Sequence, residues 1–339
     1  MFWEDKKVVV TGGGGFLGSR IVARLCEMGC RRVVVVGRSR RPEMERRGVE
    51  VRVCDLRDGV AVGAALGNAD VVFHCAAKAG VWGSWKDYFE TNVIGTRHVL
   101  AACHLNGAAA LIHTSSPSAV CPFGDYAAFS GDGLRDGAGF LCHYARSKAL
   151  AERDVLAVSA SSLRVVVIRP PLIWGPGDPH LLPRLIDRAR KGRLIQVGTG
   201  ENLVDLTYID NAAEAHLLAA ERLVVDGRPA GKAYFISDDA PVRLWGWLGD
   251  FLVRLGLSPC QRRMSFRKAY AIGAVCEGIF TVLPFLGEPP MTRFVAGQLA
   301  HSRYFDISAA KADFGYKPVV APELALNRTV DFFRRTLCI

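Results

Sequence analysis

No Cys-x-x-Cys pair occurs among the ten cysteines of this 339-residue chain. Cys26 and Cys30 lack a second pair or a His-x-x-x-His partner, so a structural zinc site is not expected and no metal is assigned. The secretory signature is missing too. Met1-Phe2-Trp3-Glu4-Asp5-Lys6-Lys7 leads straight into Val8-Val9-Val10, without a basic head, a long apolar stretch and a small-residue cleavage site. A cytoplasmic location is the expectation. The cysteines, set mostly in apolar runs such as His74-Cys75-Ala76, then read as buried free thiols and not as a disulfide framework. No internal repeat, low-complexity tract or flexible linker is seen. The formal charge of +10 gathers in Arg31, Arg32, Arg38, Arg40, Arg41, Arg46 and Arg47, and again in Arg262, Arg263, Arg267 and Lys268. No nucleic-acid motif or aromatic platform accompanies these clusters, which turns the expectation from nucleic acid toward an anionic cofactor, substrate or membrane surface.

What is present is a chain that is half hydrophobic, enough for one large α/β domain and a smaller partner. β-branched runs alternate with amphipathic stretches. Strands are predicted at Lys7–Thr11, 33–36, 49–54, 71–75, 110–115 and Arg164–Arg169, with helices at 16–28, 84–105 and 143–158. Parallel strands joined by crossover helices give this rhythm, so the expected fold class is α/β, a Rossmann-like doubly wound parallel sheet. After Pro170-Pro171 the elements shorten, and a smaller, interleaved C-terminal substrate domain is expected. One long apolar stretch, 269–287, contains Glu277 and Pro284. It is read first as a helix over the substrate pocket. A spanning helix and an interfacial helix favouring anionic headgroups are the other readings.

The loop Thr11-Gly12-Gly13-Gly14-Gly15-Phe16-Leu17-Gly18 follows a predicted strand and opens a predicted helix. Gly12, Gly15 and Gly18 allow a tight turn and close backbone approach, and the helix N-terminus with Phe16 and Leu17 favours a pyrophosphate. A dinucleotide cofactor is expected here. The second strand ends in Gly37-Arg38-Ser39-Arg40-Arg41, where an NAD-preferring protein usually carries an acid for the adenosine ribose. Arg38 is therefore assigned to a 2′-phosphate and NADPH is favoured, with NAD as an alternative. The bland reading is a solvated arginine loop. Asp55 and Leu56 are placed beside the adenine, although Asp55 could equally cap the following helix. Ala76 and Ala77 end the fourth strand with small side chains, against the cofactor or in plain packing. The division that follows is 1–175 as the NAD(P)-binding domain, with a returning segment near 205–222, and 176–339 as the substrate-binding region.

Tyr144 and Lys148 stand four residues apart on a predicted helix, hence on one face. A Lys⁺ near the phenol, with an oxidised nicotinamide, is expected to draw the phenol's pKa down toward the working pH. Tyr144 could then exchange a proton with a substrate oxygen while hydride moves at the adjacent carbon. Ser116 is chosen to hold that oxygen, with Ser115 as the fallback. Trp82 and Trp174 are read either as part of a hydrophobic substrate site or as packing.

These residues, together with Asn92-Val93-Ile94-Gly95-Thr96, Arg169-Pro170 and Trp174-Gly175-Pro176-Gly177, resemble the extended short-chain dehydrogenase/reductase superfamily. The resemblance covers nearly the whole chain. The segment Tyr304-Phe305-Asp306-Ile307-Ser308 narrows it to the 3β-hydroxysteroid dehydrogenase branch. Ala76-Ala77-Lys78-Ala79-Gly80-Val81-Trp82-Gly83 is similar to the subgroup holding 2-alkyl-3-oxoalkanoate reductases and sterol-4-carboxylate 3-dehydrogenases. The resemblance implies catalysis by Ser116, Tyr144 and Lys148, a supporting role for Asn92 on the nicotinamide side, contact of Lys148 with the cofactor ribose, and a homodimer. It implies NADPH-dependent reduction of a 2-alkyl-3-oxo acid, a hydrophobic small-molecule substrate. Rival readings are oxidation of a 3β-hydroxysterol or its 4-carboxylate, a sugar-nucleotide epimerase, and a non-catalytic NADP(H) sensor. Peripheral membrane contact through 262–287 is a further expectation.

Overall fold

A seven-stranded parallel sheet forms the centre of the chain in the computed structural model, which describes residues 2–121, 123–131, 139–158 and 163–337. Its strands are β1 (Lys7–Thr11), β2 (Arg32–Gly37), β3 (Glu50–Val53), β4 (Val71–His74), β5 (Ala110–Thr114), β6 (Arg164–Arg169) and β7 (Lys232–Phe235). They lie in the order β7-β6-β5-β4-β1-β2-β3. The valine runs explain the sheet. Val8 and Val10 of β1 join one core, together with Val33 and Val35 of β2, while Val9, Val34 and Val36 join a second core on the opposite face. Alternating side chains that are apolar on both faces can be satisfied only with helices on both sides. Each such side chain contributes about 1.5–3 kcal/mol by leaving water.

The chain leaves β1 toward β2 and β3, then crosses back to lay β4 on the other side of β1. Thr11 and His74 are register partners at the carboxyl ends of these two strands. That reversal opens a crevice between them, the usual ligand position of such a sheet.

A second sheet of four short strands, in the order Val242–Arg243, Leu203–Val204, Arg303–Phe305, Tyr126–Phe129, lies beside the first. The two sheets borrow from each other's stretch of chain. Tyr126–Phe129 precedes β6 in sequence yet pairs with Arg303–Phe305, and β7 arrives late in the chain yet completes the large sheet against β6.

The helix expected at 84–105 runs unbroken from Trp85 to Leu105, capped by Ser84, with a π-helical segment at Phe89–Ile94 between the α-helical Trp85–Tyr88 and Gly95–Leu105. A wider turn here rotates Asn92 inward. Of the two readings of Trp174, packing is the one observed. The side chain is fully buried, donates to Asp238 at 3.2 Å and packs edge-on against Tyr208 and Trp247.

The apolar stretch near 269–287 forms the helix Phe266–Val282, capped by Ser265. Its inner face is Ala269, Gly273 and Glu277, spaced at i, i+4 and i+8. A Cβ on Gly273 would stand 2.6 Å from the Thr292 carbonyl carbon, so the helix lies directly on that backbone. Glu277 accepts from the Arg293 backbone N–H at 2.7 Å and its Nε at 2.6 Å. Among the described residues no helix is long and apolar enough to cross a membrane.

Candidate active site

Gly12 begins the loop after β1 with φ of +67°, and a Cβ there would lie 2.7 Å from the backbone of Ala76. A Cβ on Gly18 would meet the Gly12 carbonyl oxygen at 2.3 Å. The glycines thus let β1, β4 and the helix Phe16–Glu27 approach until backbone touches backbone. That helix begins at Gly15 without a side-chain cap, so its first N–H groups, around Phe16 and Leu17, face the crevice without a side-chain acceptor. Unfilled donors at the positive end of a helix, in a cradle that admits no Cβ, fit the pyrophosphate of a dinucleotide.

Arg41, absent from the sequence-derived site set, is the basic residue nearest that loop. A Cβ on Gly14 would sit 2.4 Å from Arg41 Nε, which places the guanidinium across the glycines. A cleft of about 950 Å³ opens alongside, lined among others by Gly14, Gly15, Phe16, Arg41 and Arg328. Arg38 is exposed and close enough to Asp55 to favour its ionised form, whereas Arg40 is engaged with Glu45 at 3.0 Å. Asp55 is gripped by Arg57, with Nε to Oδ1 at 3.0 Å and Nη2 to Oδ2 at 2.6 Å, which holds its carboxyl down to about 2. The alternative cap role falls to Asp58, whose Oδ1 accepts from the Val60 and Ala61 N–H groups, both at 3.0 Å. Leu56 is buried in the second core and packs against Gly95; its carbonyl accepts from His98 Nδ1 at 2.8 Å. The Ala76 N–H donates to Thr11 Oγ1 at 3.4 Å, and Ala77 is exposed at the mouth of the crevice.

The helix His143–Ala157 brings Tyr144 and Lys148 to the carboxyl end of β5. Lys148 is buried and donates to the Thr114 carbonyl at 2.5 Å. Burial brings its ammonium down to about 8, with Glu152 and Cys75 opposing the fall. The Tyr144 phenol is enclosed as well. Desolvation pushes it up to about 12, opposed by the Ser116 hydroxyl beside it. The physical reason is that enclosure penalises a phenolate. Ser116 Oγ lies 3.0 Å from Ser118 Oγ. Ser115 is not available as a substitute, since its hydroxyl donates to Glu152 in the interior.

Glu152 was missed from sequence. It stands one turn beyond Lys148 and accepts from Arg169 at the end of β6, with Nη2 at 2.5 Å and Nε at 3.1 Å. Both side chains are at most 1% exposed. The i, i+4, i+8 spacing of Tyr144, Lys148 and Glu152 was the available signal.

Asn92 is buried and acts as a tie. Its Nδ2 donates to Ser147 Oγ at 2.8 Å and to the Lys78 carbonyl at 3.1 Å, and its Oδ1 accepts from the Lys78 N–H at 2.6 Å. The chain of contacts continues through Thr96 Oγ1 to the Asn92 carbonyl (2.6 Å), His74 Nε2 to Thr96 (3.0 Å) and His74 Nδ1 to Thr11 Oγ1 (2.7 Å). Burial takes His74 down to about 3, so it is a neutral link with one donor and one acceptor nitrogen. This ladder joins the glycine loop to the Tyr144 helix.

A hydride-accepting or hydride-giving cofactor laid along the crevice would place its reactive end beside a phenol, a serine hydroxyl and an ammonium. The model of the 3-beta hydroxysteroid dehydrogenase/isomerase family matches residues 9–266. The chain belongs to that family. Among its relatives is a 2-alkyl-3-oxoalkanoate reductase of Stenotrophomonas maltophilia, 46% identical over 95% of this chain and 98% of the relative. A mouse sterol-4-alpha-carboxylate 3-dehydrogenase (decarboxylating) is 33% identical over 97% of this chain and 91% of its own. Among solved structures, MoeE5 in complex with UDP-glucose and NAD superposes with a TM-score of 0.75 at 27% identity, covering 98% of this chain and 99% of that one. The chain is an oxidoreductase of this kind.

Proposed function

We propose that this family member reduces the 3-keto group of a 2-alkyl-3-oxo acid with NADPH, giving the 3-hydroxy acid and NADP⁺ with uptake of one proton. The observation that carries the reading is the Tyr144 phenol beside the Ser116 hydroxyl, on the helix that also carries the buried Lys148; enclosure pushes the phenol up, so it holds a proton that a carbonyl oxygen can take. The name of the bacterial reductase at 46% identity supports the substrate class. Arg38 and Arg41 at the strand end, in place of an acid, support NADPH over NADH, and the solved NAD complex of MoeE5 supports a nicotinamide cofactor in this crevice.

When bound, the reduced nicotinamide supplies the hydride to C3. Ser116 donates a hydrogen bond that orients the carbonyl oxygen. Tyr144 transfers its proton to that oxygen as charge develops there. Lys148, protonated below about 8, lies one turn away to hold the cofactor ribose and to stabilise the resulting phenolate. The mouse dehydrogenase favours one second reading, oxidation of a 3β-hydroxysterol carboxylate.

The test is turnover by the purified chain. NADPH oxidation with a 2-alkyl-3-oxo acid, lost in Tyr144→Phe while NADPH still binds, is the expected result. Reduction of NAD⁺ or NADP⁺ by the sterol with no activity on the oxo acid would replace this reading with the second.

We also propose that the outer face of the helix Phe266–Val282 rests on an anionic membrane surface. Glu277, the one acid in the run, faces inward, whereas Val275, Ile279, Val282 (76% exposed) and Phe285 (79% exposed) face out. Arg262, Arg263, Arg267 and Lys268 are exposed beside them. An apolar face with a basic margin suits lipid headgroups. Co-sedimentation with phosphatidylserine vesicles, reduced by Val275→Asp with Val282→Asp, is the expected outcome.

A further inference from the structure

His74 and His113 are register partners on β4 and β5, each 1% exposed, with ring centres 5.2 Å apart. They differ in what they bond. Neither nitrogen of His113 has a hydrogen-bond partner among the described residues, whereas both nitrogens of His74 have one.

The contacts around His74 admit one arrangement of hydrogens. Thr96 Oγ1 donates to the Asn92 carbonyl at 2.6 Å, and a hydroxyl has a single hydrogen to give. The 3.0 Å contact between Thr96 Oγ1 and His74 Nε2 therefore needs its proton on Nε2. In a neutral ring Nδ1 is then an acceptor, and the Thr11 hydroxyl donates to it at 2.7 Å. Thr11 Oγ1 itself accepts from the Ala76 N–H at 3.4 Å. Beyond Asn92 the same direction holds. Its Nδ2 donates to Ser147 Oγ at 2.8 Å, and Ser147 Oγ donates to the Tyr144 carbonyl at 2.8 Å. Each hydroxyl in this line accepts one hydrogen and gives one. The line begins at the end of β1, where the glycine loop opens, and finishes on the backbone of Tyr144 itself.

We infer that His74 is a positioning residue for Tyr144, acting through Thr96, Asn92 and Ser147, an assignment that rests on Tyr144 as the proton donor of the reaction given above. The nucleotide is held by the loop after β1 and the phenol by the helix His143–Ala157, yet hydride and proton must reach adjacent atoms of one substrate. Two separate elements have to be held in register, and a misplacement of about 1 Å can lower a rate on the order of a hundredfold. A buried line of hydrogen bonds that all point one way, each polarising the next, supplies a connection of fixed length. His74 is its central link, because it spans the gap between the strand end at Thr11 and the helix at Thr96.

The experiment uses the whole chain with NADPH and the 2-alkyl-3-oxo acid. For wild type, His74→Phe, His74→Gln, His113→Phe, Ser147→Ala and the double variant His74→Phe/Ser147→Ala, kcat, KM, NADPH affinity and melting temperature are measured. His74→Phe is expected to lower kcat by about tenfold to a hundredfold with NADPH affinity little changed. His74→Gln should recover part of the loss, since its amide can still donate to Thr96. His113→Phe removes an equally buried imidazole from the neighbouring strand and should keep the wild-type kcat, which a general penalty for replacing a buried histidine would not allow. The double variant should lose no more than the worse single one, because both substitutions break the same line. Nitrogen NMR of labelled histidine, with the His74 signals identified by their absence in His74→Phe, should show the proton on Nε2, and this readout needs no substrate. A proton on Nδ1, an unchanged kcat in His74→Phe, or losses that multiply in the double variant would overturn the assignment. Turnover lost in Tyr144→Phe but untouched in His74→Phe would remove the positioning role and leave the proton donor in place. Turnover untouched in Tyr144→Phe would remove the donor itself, and the positioning role with it.

Discussion

Glu152→Ala would take the carboxylate from the Arg169 guanidinium in an interior where it is 1% exposed and its partner 0%. Three donors converge on the carboxylate: Arg169 Nε, Arg169 Nη2 and the Ser115 hydroxyl. Breaking a buried pair by removing one member leaves an uncompensated charge, which destabilises by about 3–5 kcal/mol. Arg169 also lies over the Phe235 ring at 5.0 Å, which offers at most about 2 kcal/mol even in a dry setting. A loss near 3 kcal/mol is therefore the expected value. The assay is urea unfolding followed by circular dichroism, comparing wild type, Glu152→Ala, Arg169→Met and the double variant Glu152→Leu/Arg169→Met. Replacing both ions with apolar groups of similar volume should restore most of the stability, because neither charge then needs solvation. A change below about 1 kcal/mol in both single variants would refute the argument, since it would mean that water reaches the pair.

Burial of Lys148 also makes a pH-dependent claim. Its folded value of about 8 lies below the ordinary 10.5, so the unfolded chain binds the proton more tightly and stability should rise between pH 8 and pH 10.5. The penalty is fully present below pH 8, and the shift corresponds to roughly 3 kcal/mol. Lys148→Met should accordingly be more stable than wild type at pH 7, and the gain should vanish near pH 10.5; thermal melts at the two pH values decide it. Arg41→Ala should raise the Kd for NADPH by about tenfold and leave NADH nearly unaffected, as charge-assisted contacts to phosphate are worth about 1.5–3 kcal/mol. Fluorescence titration with both nucleotides checks it, and parallel losses would place Arg41 on the shared pyrophosphate.

Features whose cause is local were legible in the sequence. Valine runs at 8–10 and 33–36 carry their own two-sided pattern, and the glycine loop announces itself because β1 and β4 must touch there. Tyr144 and Lys148 needed only helical periodicity. Features decided by distant packing were not. Trp174 was ambiguous until Asp238, Tyr208 and Trp247 closed around it. Asp55 and Asp58 are similar side chains three residues apart, and only the observed backbone shows which one starts a helix. The π-helical segment at Asn92 and the upward shift of Tyr144 both depend on what encloses them, and Glu152 matters through Arg169, on another element from Tyr144 and Lys148.

The exchange of strands between the two sheets bears on how the chain can be taken apart. Because Tyr126–Phe129 is hydrogen-bonded to Arg303–Phe305 and β7 to β6, each lobe is stitched with thread from the other, and no single cut releases either one whole. Ribosomal synthesis must deliver residue 305 before the strand at 126 finds its neighbour, so the small sheet waits for the last part of the chain after the large one has all its strands.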